Sequence, residues 1–165
     1  MSFTIQKGQG ATEYLVLLAV VLIVAMVAIA LLGFFPGLSY DAKKSEADSY
    51  WQSARPFQVR QHAQPANGSL TLVVSNVNSD QLKITNISVS GGGNSTINST
   101  PGGAGALYLS GGQTASVIIA GVSGACAASG NVYEYTVNFT YDGTGDNPIT
   151  GQKQYGAKTI IGKCS

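Results

Sequence analysis

The apolar and polar positions divide this chain into two parts with different periods. From Gln9 to Tyr40 the only formally charged side chain is Glu13. Within that stretch, Tyr14 to Phe35 supplies 22 residues with neither a charge nor a side-chain amide. As a helix rising about 1.5 Å per residue, this run covers roughly 33 Å, enough to cross the hydrocarbon core of a bilayer. Leu15 to Leu32 uses only Leu, Val, Ile, Ala and Met, so no face of the helix is left for water. The run also exceeds the apolar core of a secretory signal, about 7–15 residues, and no small-x-small cleavage site follows it. Ala19, Ala25, Ala28 and Ala30 would permit close approach of another helix, although alanine is common in any membrane helix. Pro36 and Gly37 are expected to interrupt or kink the helix. From Leu38 to Ala54 the helical period returns. Tyr40, Ala47, Trp51 and Ala54 recur at helical spacing, with Asp41, Lys43, Lys44, Glu46 and Asp48 mostly on other faces.

After Pro56 the period becomes two. Ser69 to Asn76 alternates Leu70, Leu72 and Val74 on one face. Gln81 to Ser90 places Leu82 and Ile84 inward, then Ile87 and Val89, a change of register near Asn86 that predicts a bulge. Thr114 to Ala120 is a short apolar strand candidate. In Tyr133 to Tyr141, the residues Tyr133, Tyr135, Val137, Phe139 and Tyr141 face one way, and Glu134, Thr136, Asn138 and Thr140 the other. Lys153 to Ile161 is expected to return beside it after a loop from Asp142 to Gln152. Short strands separated by Gly/Ser/Asn-rich connectors predict an α+β chain: a long N-terminal hydrophobic helix with its amphipathic stalk over residues 9–55, then a small antiparallel β-sandwich head over 56–165.

Composition sharpens this reading in three places. Charged residues make up only 10% of the 165, and the net charge of +1 gives no electrostatic footprint for nucleic acid. Two cysteines, Cys126 and Cys164, flank the strand Tyr133 to Tyr141 and its candidate return. An antiparallel pair would bring them together as one disulfide, and two ligands alone do not make a metal site. Five of the nine asparagines stand in Asn-x-Ser/Thr sequons: Asn67, Asn86, Asn94, Asn98 and Asn138. Asn138 lies on the polar face of its strand, where a glycan would point away from the core. No catalytic, cofactor-binding or metal-ligating constellation is found. His62 is the only histidine and is expected to be solvated in a polar connector. Gly91-Gly92-Gly93 and Gly111-Gly112 lack the strand-to-helix context of a phosphate loop.

The segment Lys7-Gly8-Gln9-Gly10-Ala11-Thr12-Glu13-Tyr14-Leu15 resembles the class III signal peptide of archaeal type IV pilins. In that family a short polar leader ends in a basic residue and Gly, and cleavage follows the Gly. A Glu stands at the fifth mature position, ahead of the hydrophobic helix. The resemblance implies a leader over residues 1–8, cleavage between Gly8 and Gln9, and an assembly role for Glu13. Bacterial pilins usually begin the mature chain with Phe, which is absent here. The motif covers about residues 7 to 35. For the β-rich remainder the likeness is only in kind, to the lollipop form of a helix carrying a head.

A cut before the apolar helix leaves that helix on the mature protein, whereas a signal serving export alone would lose it. Glu13 sits one helical turn from the new amino group of Gln9. A carboxylate among packed helices costs at least a few kcal/mol unless it is paired or protonated, so the ammonium of a neighbouring subunit is its natural partner. The resemblance therefore implies a structural, non-enzymatic subunit, membrane-held as a precursor and then assembled as a homopolymer into an extracellular filament. Its implied partners are a prepilin peptidase and an assembly ATPase with its membrane platform, and its implied roles are surface adhesion and cell–cell contact. The alternatives are an archaellin, although that family usually lacks a Glu at this place, and a singly anchored minor pilin or binding component.

Overall fold

A computed structural model describes residues 9–92, 94–101, 106–122 and 124–165; the side chains of residues 9, 33–38 and 94–97 are not among those described. The chain divides into two compact units at Ala42/Lys43. The first holds the apolar part of α1, the helix Gln9–Ser53. The helix continues through Pro36 and Gly37, so the expected interruption does not occur. Proline removes one backbone donor from a helix, and the turns on either side are long enough to carry that single loss.

Among the described residues the second unit contains the last turns of α1 and nine strands: β1 Phe57–Ala63, β2 Leu70–Asn76, β3 Leu82–Gly91, β4 Asn94–Ser99, β5 Leu107–Leu109, β6 Thr114–Ile119, β7 Val132–Gly143, β8 Gln152–Tyr155 and β9 Ile160–Lys163. They form two antiparallel sheets. One has the order β1-β2-β6; in the other β3 and β7 are central, with β4 and β5 on the free side of β3 and β8 and β9 on that of β7. Leu70, Leu72, Val74 and Val117 from the first sheet share one buried cluster with Ile84, Ile87, Tyr135, Val137 and Phe139 from the second. This is the sandwich that the period-two alternation predicts, and the alternation in β7 is directly visible in burial from Tyr133 to Phe139. The register of β3 against β7 shifts between Ile84 and Asn86, where the two inward pairs of β3 change phase.

Three strands lie outside the sequence-based expectation, and one expected strand is two. In β1 the inward pair Phe57 and Val59 is followed by Arg60-Gln61-His62. A bulge between Val59 and Gln61 breaks the alternation there and twists an edge strand. The sequences of β4 and β5 are too polar or too short to show a period. The expected strand Lys153 to Ile161 is broken because Gly156 and its neighbours turn aside for Trp51. A Cβ on Gly156 would lie 2.5 Å from the Val137 carbonyl and 2.7 Å from the Trp51 ring, so only glycine fits.

The last turns of α1 close the open side of the sandwich. Ala47, Trp51 and Ala54, spaced for one helical face, are all buried. The Trp51 ring meets Phe139 edge-on at 6.2 Å, and its indole N–H donates to the Lys158 carbonyl at 3.1 Å. The Tyr50 hydroxyl accepts from the Ala157 N–H at 3.0 Å. Beside this contact, Gln154 joins the two sheets. Its amide accepts from the Phe57 N–H at 2.9 Å and donates to the Phe57 carbonyl at 2.8 Å, as a neighbouring strand would. Gln154→Leu leaves both backbone groups buried without partners. It should cost about 2–4 kcal/mol, read as a lower denaturant midpoint by fluorescence of the single tryptophan in the detergent-solubilised chain. An unchanged midpoint would show that the bridge carries no stability.

Candidate functional site

At the N-terminus, Gly8 lies outside the described residues and Gln9 is the first residue of α1. Glu13 is solvent-exposed in the isolated chain, four residues along the same helix. Within the segment Gly10–Leu32 the most apolar 18 residues have a mean hydropathy of 3.4, and none of them is buried. By length and composition this segment can cross a membrane. It carries one acid and no base, so the acid has no partner of its own segment to pair with.

In the β-rich unit, a groove of about 520 Å³ runs between the end of α1 and β1. Its charged and titratable side chains are Lys44 and Asp48 from α1, Arg60 and His62 from β1, Tyr133 from β7 and Lys163 from β9. His62 is here on a strand and half-buried, which corrects the expectation of a solvated connector; the bulge at Arg60 that precedes it hid the strand. Its Nδ1 shares a 2.8 Å hydrogen bond with the Tyr133 hydroxyl, and the two rings meet edge-on. Its Nε2 lies 3.8 Å from an Asp48 oxygen, too far for a hydrogen bond but close enough to feel the charge. Lys44 pairs with that same carboxylate. Burial holds the imidazole below its usual pKa, more strongly than Asp48 raises it, and Lys44 adds to the lowering. Nothing in the sequence flags this cluster, because it is assembled from residues 48, 62 and 133 by long-range pairing alone.

The two cysteines are joined. The Cys126 and Cys164 sulfurs are 1.94 Å apart across a sequence separation of 38, and the backbone beside them is paired, with Cys164 N–H donating to the Asn131 carbonyl at 2.8 Å. Closing a loop of that length stabilises the folded head by about 4 kcal/mol on chain-entropy grounds. It fixes the C-terminal strand against the start of β7.

The sequons are distributed unevenly. Asn67 is exposed at a φ of +53°, with its amide donating to the Ala127 carbonyl at 3.3 Å. Asn94 opens β4, and its side chain lies outside those described. Asn86, Asn98 and Asn138 all lie on the outward face of the larger sheet, around a depression of about 200 Å³. Asn138 is half-buried, not fully outward, and its carbonyl accepts from the Gly156 N–H at 3.0 Å. Among the described residues no group of three His, Cys, Asp or Glu is placed to hold a metal ion.

The lowered pKa of His62 has a defined consequence for stability. Neutral His62 stabilises the folded head fully above its unfolded value, about pH 6.5, and that contribution disappears as the pH falls through the lower folded value. The thermal midpoint should therefore drop as the pH falls below about 6.5. His62→Gln, which has no proton to gain, should flatten the drop; equal slopes for the two proteins would remove His62 as its cause.

No family model and no curated protein matches this chain. Its function is therefore read from its own N-terminal pattern and from the two units described above.

Proposed function

We propose that this chain is an archaeal type IV pilin-like subunit. It is made as a precursor, cut between Gly8 and Gln9, held in the membrane, and then built into an extracellular filament through α1. The observation that carries this reading is the apolar helix itself: 23 residues, exposed on every side in the isolated chain, with a single acid, Glu13, near its start and a Lys-Gly-Gln sequence ahead of it that resembles a pilin cleavage site. Lipid satisfies such a helix before assembly, and the helices of other copies satisfy it afterwards. The disulfide-closed, weakly charged sandwich is the part that faces the medium. A prepilin peptidase, an assembly ATPase and its membrane platform are the partners this reading requires. Surface adhesion or cell–cell contact is the role it assigns to the fibre.

Glu13 separates an assembling subunit from a plain anchor. In the membrane its carboxylate sits near the interface at little cost. In a helical core it needs the terminal ammonium of another copy, and losing that pairing costs a few kcal/mol at each contact. Glu13→Gln should leave membrane insertion and cleavage intact, with both mature proteins beginning Gln-Gly-Ala-Thr-Glu or Gln-Gly-Ala-Thr-Gln by N-terminal sequencing. Fibre yield at the cell surface should fall by about an order of magnitude or more. Equal fibre yield at equal subunit level would exclude Glu13 as the assembly determinant, and a mature terminus beyond Phe35 would exclude the pilin-like reading.

A further inference from the structure

Three of the five sequons meet on one sheet face, and the structure distinguishes between them. Ser88 of β3 pairs across to Asn98 of β4 on one side and to Asn138 of β7 on the other, and Asn138 pairs in turn with Tyr155 of β8. Asn98, Ser88, Asn138 and Tyr155 thus form one row across four strands, with Asn98 and Asn138 about 10 Å apart. Asn86 lies on the same face, two residues before Ser88. Its Nδ2 donates to the Asn98 Oδ1 at 3.2 Å. Gly156 N–H donates to the Asn138 Oδ1. Both Asn98 and Asn138 are therefore held by their carbonyl oxygens. Their Nδ2 atoms, the atoms a sugar would join, have no hydrogen-bond partner among the described residues. The Nδ2 of Asn86 and that of Asn67 are both engaged.

We propose that Asn98 and Asn138 are the N-glycosylation sites of this face, and that Asn86 is a positioning residue that orients Asn98 without carrying a sugar. The first sugar on Asn138 occupies the depression beside Ser88, Thr140 and Lys153, with the two-thirds-exposed Tyr155 ring offering an apolar face to it. The strand geometry suits the acceptor sequence, because Asn138 and Thr140 project from the same face. The donor is a sugar carried on a membrane lipid phosphate. Nδ2 forms a bond to the anomeric carbon, the bond from that carbon to the phosphate oxygen breaks with its electron pair leaving on the phosphate, and one amide proton passes to a base of the transferase. This proposal rests on the exported destination proposed above and not on filament assembly. It also closes this sheet face to contact with another protein surface, leaving it on the solvent side.

Intact-mass measurement and glycopeptide mapping of the full chain purified from its own cells test the assignment. Asn98→Gln, Asn138→Gln and Thr140→Ala should each lose the mass of one glycan; Thr140→Ala removes the acceptor hydroxyl while Asn138 stays in place. Ser88→Ala, which destroys the Asn86 sequon, should leave the mass unchanged, while Asn86→Gln should lower occupancy at Asn98. A sugar mapped to Asn86, or bare Asn98 and Asn138 on the exported chain, overturns the proposal. Fibres built from subunits bare at both sites would overturn it and spare the pilin-like reading. Glycans at both sites on a chain that forms no fibre would do the reverse.

Discussion

A helix that is apolar on every face has no stable place in water, and the rest of this protein is arranged around that constraint. Between Tyr14 and Leu32 fifteen large hydrophobic side chains are exposed in the isolated chain. At about 1.5–3 kcal/mol for each one buried, covering them is worth tens of kcal/mol, more than the whole folding stability of a typical domain. No feature of the β-rich unit can outweigh a term of that size. The segment must be covered by lipid or by other helices. Glu13 works on a smaller scale. A few kcal/mol cannot keep the helix out of an apolar environment, but it can select among apolar environments, favouring the one that supplies a cation at the right height. Burial thus drives the proposed assembly, and one carboxylate gives it register.

The β-rich unit solves a different problem, that of a sandwich with few charges and open edges. Its larger sheet ends on broken strands, β4 with β5 and β8 with β9, and its smaller sheet ends on the bulged strand β1. Trp51 and Gln154 deal with the side where β1 and β8 leave the core open. Trp51 supplies apolar volume, and Gln154 supplies the two hydrogen bonds that Phe57 would otherwise lack. The Cys126–Cys164 bond holds the start of β7 and the C-terminus together. Ion pairs contribute less: Lys158 with Glu46 is exposed on both sides, a setting in which such pairs are worth little.

What could be read from the residues followed periodicity closely. The apolar helix, the buried face of β7 and the change of phase in β3 near Asn86 are all local patterns, set by side chains two to four positions apart, and each appears in the structure. The three unforeseen strands fail the same test for physical reasons. In β1 the bulge at Arg60 interrupts the alternation after two apolar residues, β4 has Ile97 as its only large apolar residue, and β5 is three residues long. The split of the last expected strand depends on Trp51, more than 100 positions away in sequence. The His62 groove and the bond between Asn86 and Asn98 were equally illegible, since both depend on which strands become neighbours. By contrast, the N-terminal motif was legible only as sequence, because Gly8 lies outside the described residues and none of the described residues pairs with Glu13.

The scarcity of charge gives the outward sheet face its significance. A protein with a net charge of +1 and one charged residue in ten gains almost nothing from electrostatic repulsion between copies. If its outer surface were also apolar, copies brought close together would adhere there as readily as along their helices, and order would be lost. The outward face of β3 and β7 instead carries Asn86, Ser88, Asn138 and Thr140, which hold water by hydrogen bonding, beside Glu134 and the ion pair of Lys83 with Asp142. Such a face is hydrated and difficult to pair with a copy of itself. The sugars proposed at Asn98 and Asn138 would extend that property outward. On this view the chain keeps its two kinds of surface apart: one that must be covered, confined to α1, and one that must stay wet, built from strands whose inner faces form the core.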